Sequence, residues 1–430
     1  MAQDNRLEDY TPTGWNLCKI GYFFKNLKTG STPSRSIPSY FSGSIPWITS
    51  GELKSRVIFD TKEKITRKAV KDTNLKIYPK GTFFIAITGL EAKGTRGSCA
   101  ITGIEATTNQ SCLAFEPVEG VSNLYIYYWY TLYGDHIAKK YAQGTKQQSL
   151  NHKIVEELPI LLPPINEQHR ITDILTSVDN AISKTEAIVK QTEKVKKGLM
   201  QQLLTKGIGH TKFKQTEIGE VPINWNVTTL GEIATITRLA GAEYTSMWEV
   251  DPVGPIIALR GFNIGYNTLS LHNVERISQE LSDKLGRSKL SKGDIVFPCV
   301  GTIGKAAVIS EDDSYHINQN IAKITCDIEV DPNYLVYVLM SPIALAQVIK
   351  HNTSSSQPNV LVGSLRKFLV PVPPLNEQEM IAETFQIIDS KIRNEKEKLS
   401  RLNKLKQGLM QVLLTGKVRV KVNDQEAVTT

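Results

Sequence analysis

The feature that most constrains the fold is an internal duplication. The segment Pro163-Pro164-Ile165-Asn166-Glu167-Gln168 recurs 210 residues later as Pro373-Pro374-Leu375-Asn376-Glu377-Gln378. Gly198-Leu199-Met200-Gln201 recurs at the same spacing as Gly408-Leu409-Met410-Gln411. Several matches in one order at one spacing indicate a tandem repeat, so both halves of the chain should adopt one architecture.

Each copy begins with a globular part. Residues 1–160 and 209–370 mix short β-branched and aromatic runs with glycine-rich turns, which is typical of short strands. A helical stretch occurs late in each part, at residues 124–140 and 334–350. The pattern predicts two α+β domains of mixed helices and strands.

Each copy ends with a long helix, at residues 161–208 and 371–416. A proline pair precedes each helix, and Asn166 and Asn376 are the expected N-cap residues. Apolar residues then recur at alternating spacings of three and four, which predicts a heptad seam. The predicted seam consists of Ile171, Ile174, Val178, Ile188, Val195 and Leu199 in the first helix and Ile381, Ile388, Leu402, Leu405 and Leu409 in the second.

A single amphipathic helix of about 41 residues would be about 60 Å long and would expose its apolar seam to water. We therefore expect the two long helices to pair as an antiparallel coiled coil, which gives the chain pseudo-two-fold symmetry. The alternative is that each helix packs only on its own domain. Residues 417–430 are expected to form a flexible tail.

Composition narrows the classes of partner. The 430 residues carry a formal net charge of +8, which favours an anionic partner such as nucleic acid. The five cysteines form no C-x-x-C pair and the seven histidines show no zinc-binding spacing, so we expect reduced thiols and no metal site. No signal peptide or run of about 20 apolar residues is present, so we expect a cytoplasmic protein with no membrane partner.

The duplicated unit resembles the DNA specificity subunit of type I restriction–modification enzymes. The specific part is the repeated Pro-Pro-x-Asn-Glu-Gln helix start with its later Gly-Leu-Met-Gln, and the resemblance covers nearly the whole chain. It implies that the globular parts are target-recognition domains, each reading one half of a bipartite double-stranded DNA site. The two helices, the family's conserved regions, would set the gap between the half-sites.

The resemblance also implies partners that carry the chemistry. Two methyltransferase subunits would dock on the helices, and motor-nuclease (restriction) subunits would join them for cleavage. S-adenosylmethionine, ATP and Mg would be bound in those partner subunits, and no cofactor is expected in this chain.

The two copies differ where they would read DNA. The first copy carries Gly30-Ser31-Thr32-Pro33-Ser34 and Ile45-Pro46-Trp47-Ile48, both usual in the family, whereas the second has Arg238-Leu239-Ala240-Gly241 in place of the first of these. We infer that the halves read different sequences, so the target is asymmetric.

Matching loops in the two copies supply the candidate DNA contacts. The glycine loops 94–97 and 301–304 could bring backbone N–H groups and a basic side chain to a phosphate, although an ordinary hairpin turn requires the same glycines. The polar loops 141–148 and 352–357 suit base edges and phosphates, and the alternative is a solvated linker. The candidate DNA-binding residues are Ser31, Thr32, Ser34, Lys93, Thr95, Arg96, Lys146, Gln147 and Gln148 in the first copy and Thr302, Lys305, Ser355, Ser356 and Gln357 in the second.

A further matching pair, Asn109-Gln110 and Asn318-Gln319, is more consistent with a structural role. Both globular parts carry these amides, yet the two parts are expected to read different DNA sequences. The amides therefore cannot account for the difference between the sequences read. We interpret these amides as supports for their own loops through hydrogen bonds to the backbone.

Catalytic motifs are incomplete. Asp331-Pro332-Asn333-Tyr334 lacks the second proline of the tetrad that holds a flipped adenine, and Gly301-Thr302-Ile303-Gly304-Lys305-Ala306 lacks the spacing and the Ser/Thr of a phosphate-binding P-loop. We predict a non-catalytic, sequence-reading subunit. The alternatives are a DNA-binding regulator that acts without a methyltransferase and a stand-alone modification enzyme.

Overall fold

The computed structural model describes residues 11–25, 27–239, 241–352 and 359–421. The described residues form two compact units. Unit 1 lies within Met1–Thr185 and Lys398–Thr430, and unit 2 lies within Glu186–Glu397. The predicted domain boundaries lie where the globular parts meet the long helices, whereas this division runs through both helices. The reason is that each globular part shares its core with a portion of both helices.

Unit 1 has the predicted α+β composition. Its strands are β1 (Asn16–Lys19), β2 (Lys28–Thr29), β3 (Ile45–Ile48), β4 (Val57–Ile58), β5 (Lys64–Ile65), β6 (Phe83–Ala86), β7 (Cys99–Thr102), β8 (Thr107–Thr108), β9 (Cys112–Phe115) and β10 (Pro159–Leu162). Its helices are α1 (Ile20–Phe23), α2 (Arg67–Asp72), α3 (Asn123–Tyr141), α4 (His152–Glu156) and the beginning of α5 (Ile165–Lys206).

The strands of unit 1 form one main sheet and two smaller ones. The main sheet has the order β2-β9-β6-β7-β4, a second has the order β5-β3-β8, and β1 pairs with β10. All residues of β6 are buried, since α3 covers this sheet with a run of buried side chains from Tyr125 to Tyr130.

Unit 2 repeats this plan. Its strands are β11 (Phe213–Thr216), β12 (Gly219–Pro222), β13 (Asn226–Thr229), β14 (Ala234–Arg238), β15 (Ile256–Leu259), β16 (Glu275–Ile277), β17 (Ile295–Pro298), β18 (Ala307–Val308), β19 (Tyr315–Ile317), β20 (Ile321–Cys326) and β21 (Leu369–Val372). Its helices, besides the end of α5, are α6 (Leu230–Ile233), α7 (Gly241–Met247), α8 (Gln279–Lys284), α9 (Pro332–Leu339), α10 (Pro342–His351), α11 (Val362–Leu365) and the beginning of α12 (Leu375–Leu413).

The sheets of unit 2 correspond to those of unit 1. The main sheet has the order β14-β20-β17-β18, the second has the order β16-β15-β19, and β13 pairs with β21. In both units the second sheet contains one parallel pair, β3 with β8 and β15 with β19. The fold-class prediction of a duplicated mixed domain is therefore confirmed.

One helix differs between the copies. Where unit 1 has the continuous α3, unit 2 has α9 and α10, bent by 57°. Pro342 causes the break because it has no N–H to continue the hydrogen bonds of α9. Within the described part of the chain no single helix combines the length and apolar composition needed to cross a membrane, and the bent pair reaches them only when both helices are taken together.

The long helices begin two residues earlier than expected. α5 starts at Ile165, and the backbone N–H groups of Glu167 and Gln168 both donate to the carbonyl of Pro164. Asn166 thus lies inside the first turn, and Asn376 does so in α12, so the N-cap prediction was wrong. Proline is suited to this start because its φ is already helical and the first residues of a helix need no donor.

The Glu and Gln of the repeated motif make buried long-range contacts. Glu167 accepts a hydrogen bond from the indole Nε1 of Trp15 at 3.0 Å, and Glu377 accepts one from Trp225 at the same distance. The amide of Gln168 accepts from the N–H of Ser122 and donates to two carbonyls. Gln378 repeats this arrangement. The motif therefore ties each long helix to the globular part that precedes it.

Within each unit, portions of the two long helices pack antiparallel. In unit 1, Glu167 pairs with Arg419, just beyond the end of α12, and Asp179 of α5 pairs with Lys406 of α12, each at 2.7 Å. Unit 2 has the same arrangement, with Lys196 of α5 on Asp389 of α12. Leu413 of α12 lies in the core of unit 1 and Leu204 of α5 in that of unit 2, so the alternative in which each helix packs only on its own domain is contradicted.

The buried stripe of the helices differs in part from the predicted seam. Of the predicted residues, Ile171 and Ile381 are fully buried, whereas Ile188, Val195 and Leu405 are exposed, which is a correction. The remainder are partly buried, namely Ile174, Val178, Leu199, Ile388, Leu402 and Leu409. In α5 the stripe continues through Leu175, Ile182 and Val189. The predicted seam and the buried stripe share Ile171 and Val178. The buried stripe continues from each of these to the residue four positions later, Leu175 and Ile182, whereas the predicted seam took the residue three positions later.

The beginning of the expected tail makes defined contacts. Arg419 donates to the carbonyl of Thr13 and pairs with Glu167, and Val420 packs on the core of unit 1. Arg419 supplies the charge partner that the buried carboxylate of Glu167 requires. Residues 417–421 therefore belong to the fold of unit 1.

Candidate nucleic-acid interface

In unit 1 the predicted loops lie along one edge of the main sheet. β2 and β6 end at this edge and β9 and β7 begin there, because neighbouring strands are antiparallel. The N–H of Leu90 donates to the carbonyl of Gln148, and the N–H of Gln148 donates to Glu91. The glycine loop and the polar loop are therefore joined, and residues 30 and 109 extend the same edge through a further backbone hydrogen bond.

Three candidates lie in the loop after β2. Thr32 is hydrogen-bonded through its hydroxyl to Gln110 at 2.7 Å, Ser34 shares a hydrogen bond with Ser36, and Ser31 donates to the carbonyl of Thr73. Gly30 holds the loop against β8, since a Cβ here would lie 1.6 Å from the carbonyl oxygen of Thr108. The loop is consequently fixed, with hydroxyl groups at its surface.

The remaining candidates of unit 1 lie in the glycine loop and the polar loop and differ in exposure. Lys93, Lys146 and Gln147 are exposed, whereas Thr95 and Gln148 are partly buried. Arg96 donates through Nε to Asp135 of α3 at 2.7 Å. Lys139 and Arg96 together lower the pKa of the Asp135 carboxyl. Arg96 is thereby held against α3, whereas the side chains of Lys93 and Lys146 are exposed.

Unit 2 brings the corresponding loops together at the same edge of its main sheet. The N–H of Val360 donates to the carbonyl of Cys299, which joins the segment before β21 to the end of β17. The hydroxyl of Thr302 donates to the carbonyl of Gly261 at 3.0 Å, and the ammonium of Lys305 lies 5.8 Å from the ring centre of Tyr266. Ser355, Ser356 and Gln357 lie outside the described residues.

Two aromatic side chains at this edge were missed by the sequence analysis. Phe262 is 54% exposed and Tyr266 is 61% exposed, and the guanidinium of Arg260 lies 4.4 Å from the Phe262 ring centre. Arg260 is itself held by Glu275 at 2.6 Å. Large aromatic groups flanked by cations are suited to stack on bases or to contact a thymine methyl group. A phenylalanine in a glycine- and asparagine-rich loop was the available signal.

The equivalent positions in unit 1 carry small side chains. Thr49 and Arg260 each begin a short 3₁₀ turn with reciprocal side-chain and backbone hydrogen bonds, which aligns Gly51 with Phe262. In the same alignment Ser55 of unit 1 corresponds to Tyr266 of unit 2. The two edges thus share a backbone plan and differ in chemistry.

The repeated amides support their own loops. Asn109 accepts a hydrogen bond from the N–H of Ser111 and Asn318 accepts one from the N–H of Gln319. Asn318 also donates to Glu275. These contacts agree with the structural role that we inferred from their presence in both copies.

Other chemistry is sparse in the described residues. No group of three or more His, Cys, Asp or Glu side chains there could hold a metal ion. The five cysteines are free thiols, and burial raises the pKa of Cys99 and Cys112 to about 12, which suppresses thiolate formation.

Comparison with known proteins agrees with this geometry. The sequence model of the type I restriction modification DNA specificity domain matches residues 12–194 and again residues 222–404. The MjaVIII type I restriction enzyme specificity subunit of Methanocaldococcus jannaschii is 28% identical over 418 residues, which cover 95% of this chain and 94% of that protein. The EcoBI specificity subunit of Escherichia coli is 24% identical, covering 63% of this chain and 60% of that protein.

Solved structures show the same fold. The S subunit of a type I restriction–modification system from M. genitalium superposes with a TM-score of 0.58 at 15% identity, covering 93% of this chain and 96% of that one. A chain from a study of assembly of the type I R-M system gives a TM-score of 0.55 at 16% identity, covering 95% and 100%. With the specificity-domain model matched once in each half of the sequence, the chain belongs to the type I restriction–modification DNA specificity family.

Proposed function

We propose that this chain is the non-catalytic subunit that reads a bipartite, asymmetric DNA sequence for a methyltransferase. The observation that carries the proposal is the pair of loop edges, built on the same strands in both units but bearing different side chains. One backbone plan used twice suits two half-sites, and different side chains suit different bases.

The chemistry of each edge suggests how it reads DNA. Unit 1 offers hydroxyls and amides at Thr32 and Gln147, with Lys93 and Lys146 for phosphates. Unit 2 offers Phe262 and Tyr266 for apolar contact with bases, with Thr302 and Lys305 beside them. Major-groove edges of base pairs differ in donors, acceptors and methyl groups, so these two sets would select different sequences.

The long helices would set the gap between half-sites. α5 has 42 residues and α12 has 39, and each contributes to both units without interruption by proline. A continuous helix has a fixed rise per residue, so its length is a stable measure. DNA half-sites must match the separation of their readers along the duplex.

The same helices would dock two methyltransferase subunits, which carry S-adenosylmethionine. Ile188, Val195, Ile387 and Leu405 leave apolar side chains exposed on α5 and α12. Exposed apolar groups on a helix that already has one partner favour a further protein contact. Because the helix starts are duplicated, we infer two such subunits, with motor-nuclease subunits binding ATP and Mg added where cleavage occurs. We expect the assembly to act in the cytoplasm.

Methylome sequencing tests the proposal. A host expressing the methyltransferase together with this chain should gain methylated adenines in a two-part motif that is absent when either gene is omitted. The purified chain without the methyltransferase should transfer no methyl groups. A methylome that does not change on adding this chain, or methyl transfer by the chain unaided, would contradict the proposal.

A further inference from the structure

An arginine-lined cleft lies in unit 2 beside β14, the edge strand of its main sheet. The cleft has a volume of about 440 Å³ and is bounded by β14 and by α11 and the residues next to it. Three arginines line it, Arg238 at the end of β14, Arg287 and Arg366.

Most of this positive charge has no carboxylate partner. Arg287 pairs with Glu243 at 3.1 Å. Arg366 donates through Nη2 to the carbonyl of Ile236 at 2.9 Å, which fixes the side chain but leaves its charge uncompensated. Arg238 has no side-chain hydrogen bond or ion pair with another described residue. A fixed and a free guanidinium facing one cleft are a natural anion site.

The positive charge of this cleft occurs in the second copy and not at the corresponding place in the first. A Cβ on Gly231 would lie 3.1 Å from Arg366, and a Cβ on Gly21 would lie 3.0 Å from Glu156, so Glu156 is the unit 1 equivalent of Arg366. The N–H of Ile321 donates to the carbonyl of Asn318 and the N–H of Cys112 to that of Asn109, so Leu113 corresponds to Ala322. Arg238 pairs with Ala322 and Thr29 pairs with Leu113, which makes Thr29 the unit 1 equivalent of Arg238. Unit 1 therefore has a threonine and a carboxylate where unit 2 has two arginines.

The cleft reaches the edge that carries the reading loops. Arg238 and Phe297 both pair with Ala322, from opposite sides of β20. Phe297 lies at the end of β17, directly before the loop that contains Thr302. Arg238 therefore lies at the same edge of the sheet as the reading loops.

We propose that this cleft binds a phosphate of the DNA backbone, so that unit 2 holds DNA through a charged contact that unit 1 lacks at the corresponding place. The inference rests on the proposed function and adds to it an unequal division of sequence-independent affinity between the units. Guanidinium groups bind phosphate oxygens bidentately and carry no information about the base.

The test uses the full-length chain in complex with its methyltransferase and a short DNA duplex that lacks the target sequence. The dissociation constant for this duplex is measured at several salt concentrations. Arg238→Gln should lower the slope of log Kd against log salt by about 1 and weaken binding at low salt, because one phosphate contact is lost. Arg366→Gln should do the same. Lys28→Gln, which removes an exposed cation one residue before the equivalent position in unit 1, is the control and should change the slope much less.

The outcomes separate this inference from the proposed function. An unchanged slope in Arg238→Gln, whose side chain supports no other described residue, would overturn the cleft proposal, and so would an equal loss in Lys28→Gln. Either result would leave the preference of the wild-type complex for its methylated motif intact. Loss of that preference in the wild-type complex would instead contradict the proposed function.

Discussion

At the scale of single residues, an aspartate in each unit joins both long helices to the globular part. Asp389 accepts from the ammonium of Lys196 at 2.5 Å and from the hydroxyl of Tyr337 at 2.9 Å. Asp179 does the same in unit 1 with Lys406 and Tyr128. Each group thereby joins two helices and the globular part of its own unit.

We expect Asp389→Asn to lower the stability of the protein by about 2 kcal/mol, because it leaves the mostly buried Lys196 without its counter-ion. Differential scanning calorimetry would register a lower Tm. Glu280→Gln, which removes an exposed pair with Lys284, is the control and should lower Tm much less, because water screens exposed ion pairs. Equal Tm values for the two variants would show that the Lys196–Asp389 pair does not stabilise the fold.

The exposed aromatic residues of unit 2 give a prediction about specificity. Phe262→Ala should relax the methylated motif in one half-site, by about tenfold at the base it contacts, and leave the other half unchanged. Phe59→Ala is the control, because Phe59 is 71% exposed but follows β4 at the opposite edge of the unit 1 sheet. Methylome sequencing would reveal the change. An unaltered motif in Phe262→Ala would remove this residue from the reading surface.

Residue roles could be predicted from sequence only in part. The repeated Glu167 and Glu377 stood out as a motif, but their partners Trp15 and Trp225 are 152 residues away, a distance that no local pattern reveals. Arg96 was predicted to contact DNA because a basic side chain beside glycines suits a phosphate, and this stays a prediction. Its pairing with Asp135 depends on tertiary packing, which the sequence did not disclose.

At the scale of elements, the helices show why a seam is harder to predict than a helix. After Ile171 and Thr185, α5 carries apolar residues both three and four positions later, so two stripes were available. The stripe that contains Val189 is buried, and Val195 stays exposed. The choice depends on the direction of the neighbouring elements, and periodicity alone does not determine it.

Two valines in α5 test this assignment. Val189→Ala should cost about 1 to 2 kcal/mol, because it removes two buried methyl groups and leaves a cavity. Val195→Ala should cost less than about 0.5 kcal/mol, as is usual at exposed positions. Chemical denaturation of both variants gives the comparison. A larger loss in Val195→Ala would restore the seam that the sequence predicted.

At the scale of the whole molecule, the duplication made the architecture predictable. A repeat of one globular part and one long helix restricts the fold to two similar units, and both have the expected mixed sheets. The expected antiparallel pairing implies that each long helix contributes to both units, and the division of α5 and α12 between the units agrees with this. The repeat did not indicate that Leu204 enters the core of unit 2 and Leu413 that of unit 1.

The proposed role of the helices as a spacer predicts a change in the target. Inserting one heptad at matched positions in both α5 and α12 keeps the seam in register and lengthens the pair by about 10 Å, or about three base pairs. The methylated motif should keep both half-sites and gain a longer gap. An insertion in one helix alone is the control and should disrupt assembly. A constant gap in the matched variant would show that the helices do not measure it.

The central claim is that each unit reads one half of the target independently of the other. The most direct measurement is the methylome of cells in which residues 234–368 of this chain are replaced by the matching segment of a family member with a different target. The claim predicts that one half of the motif changes, while the other half and the gap are retained. A motif in which both halves change, or in which neither does, would contradict it.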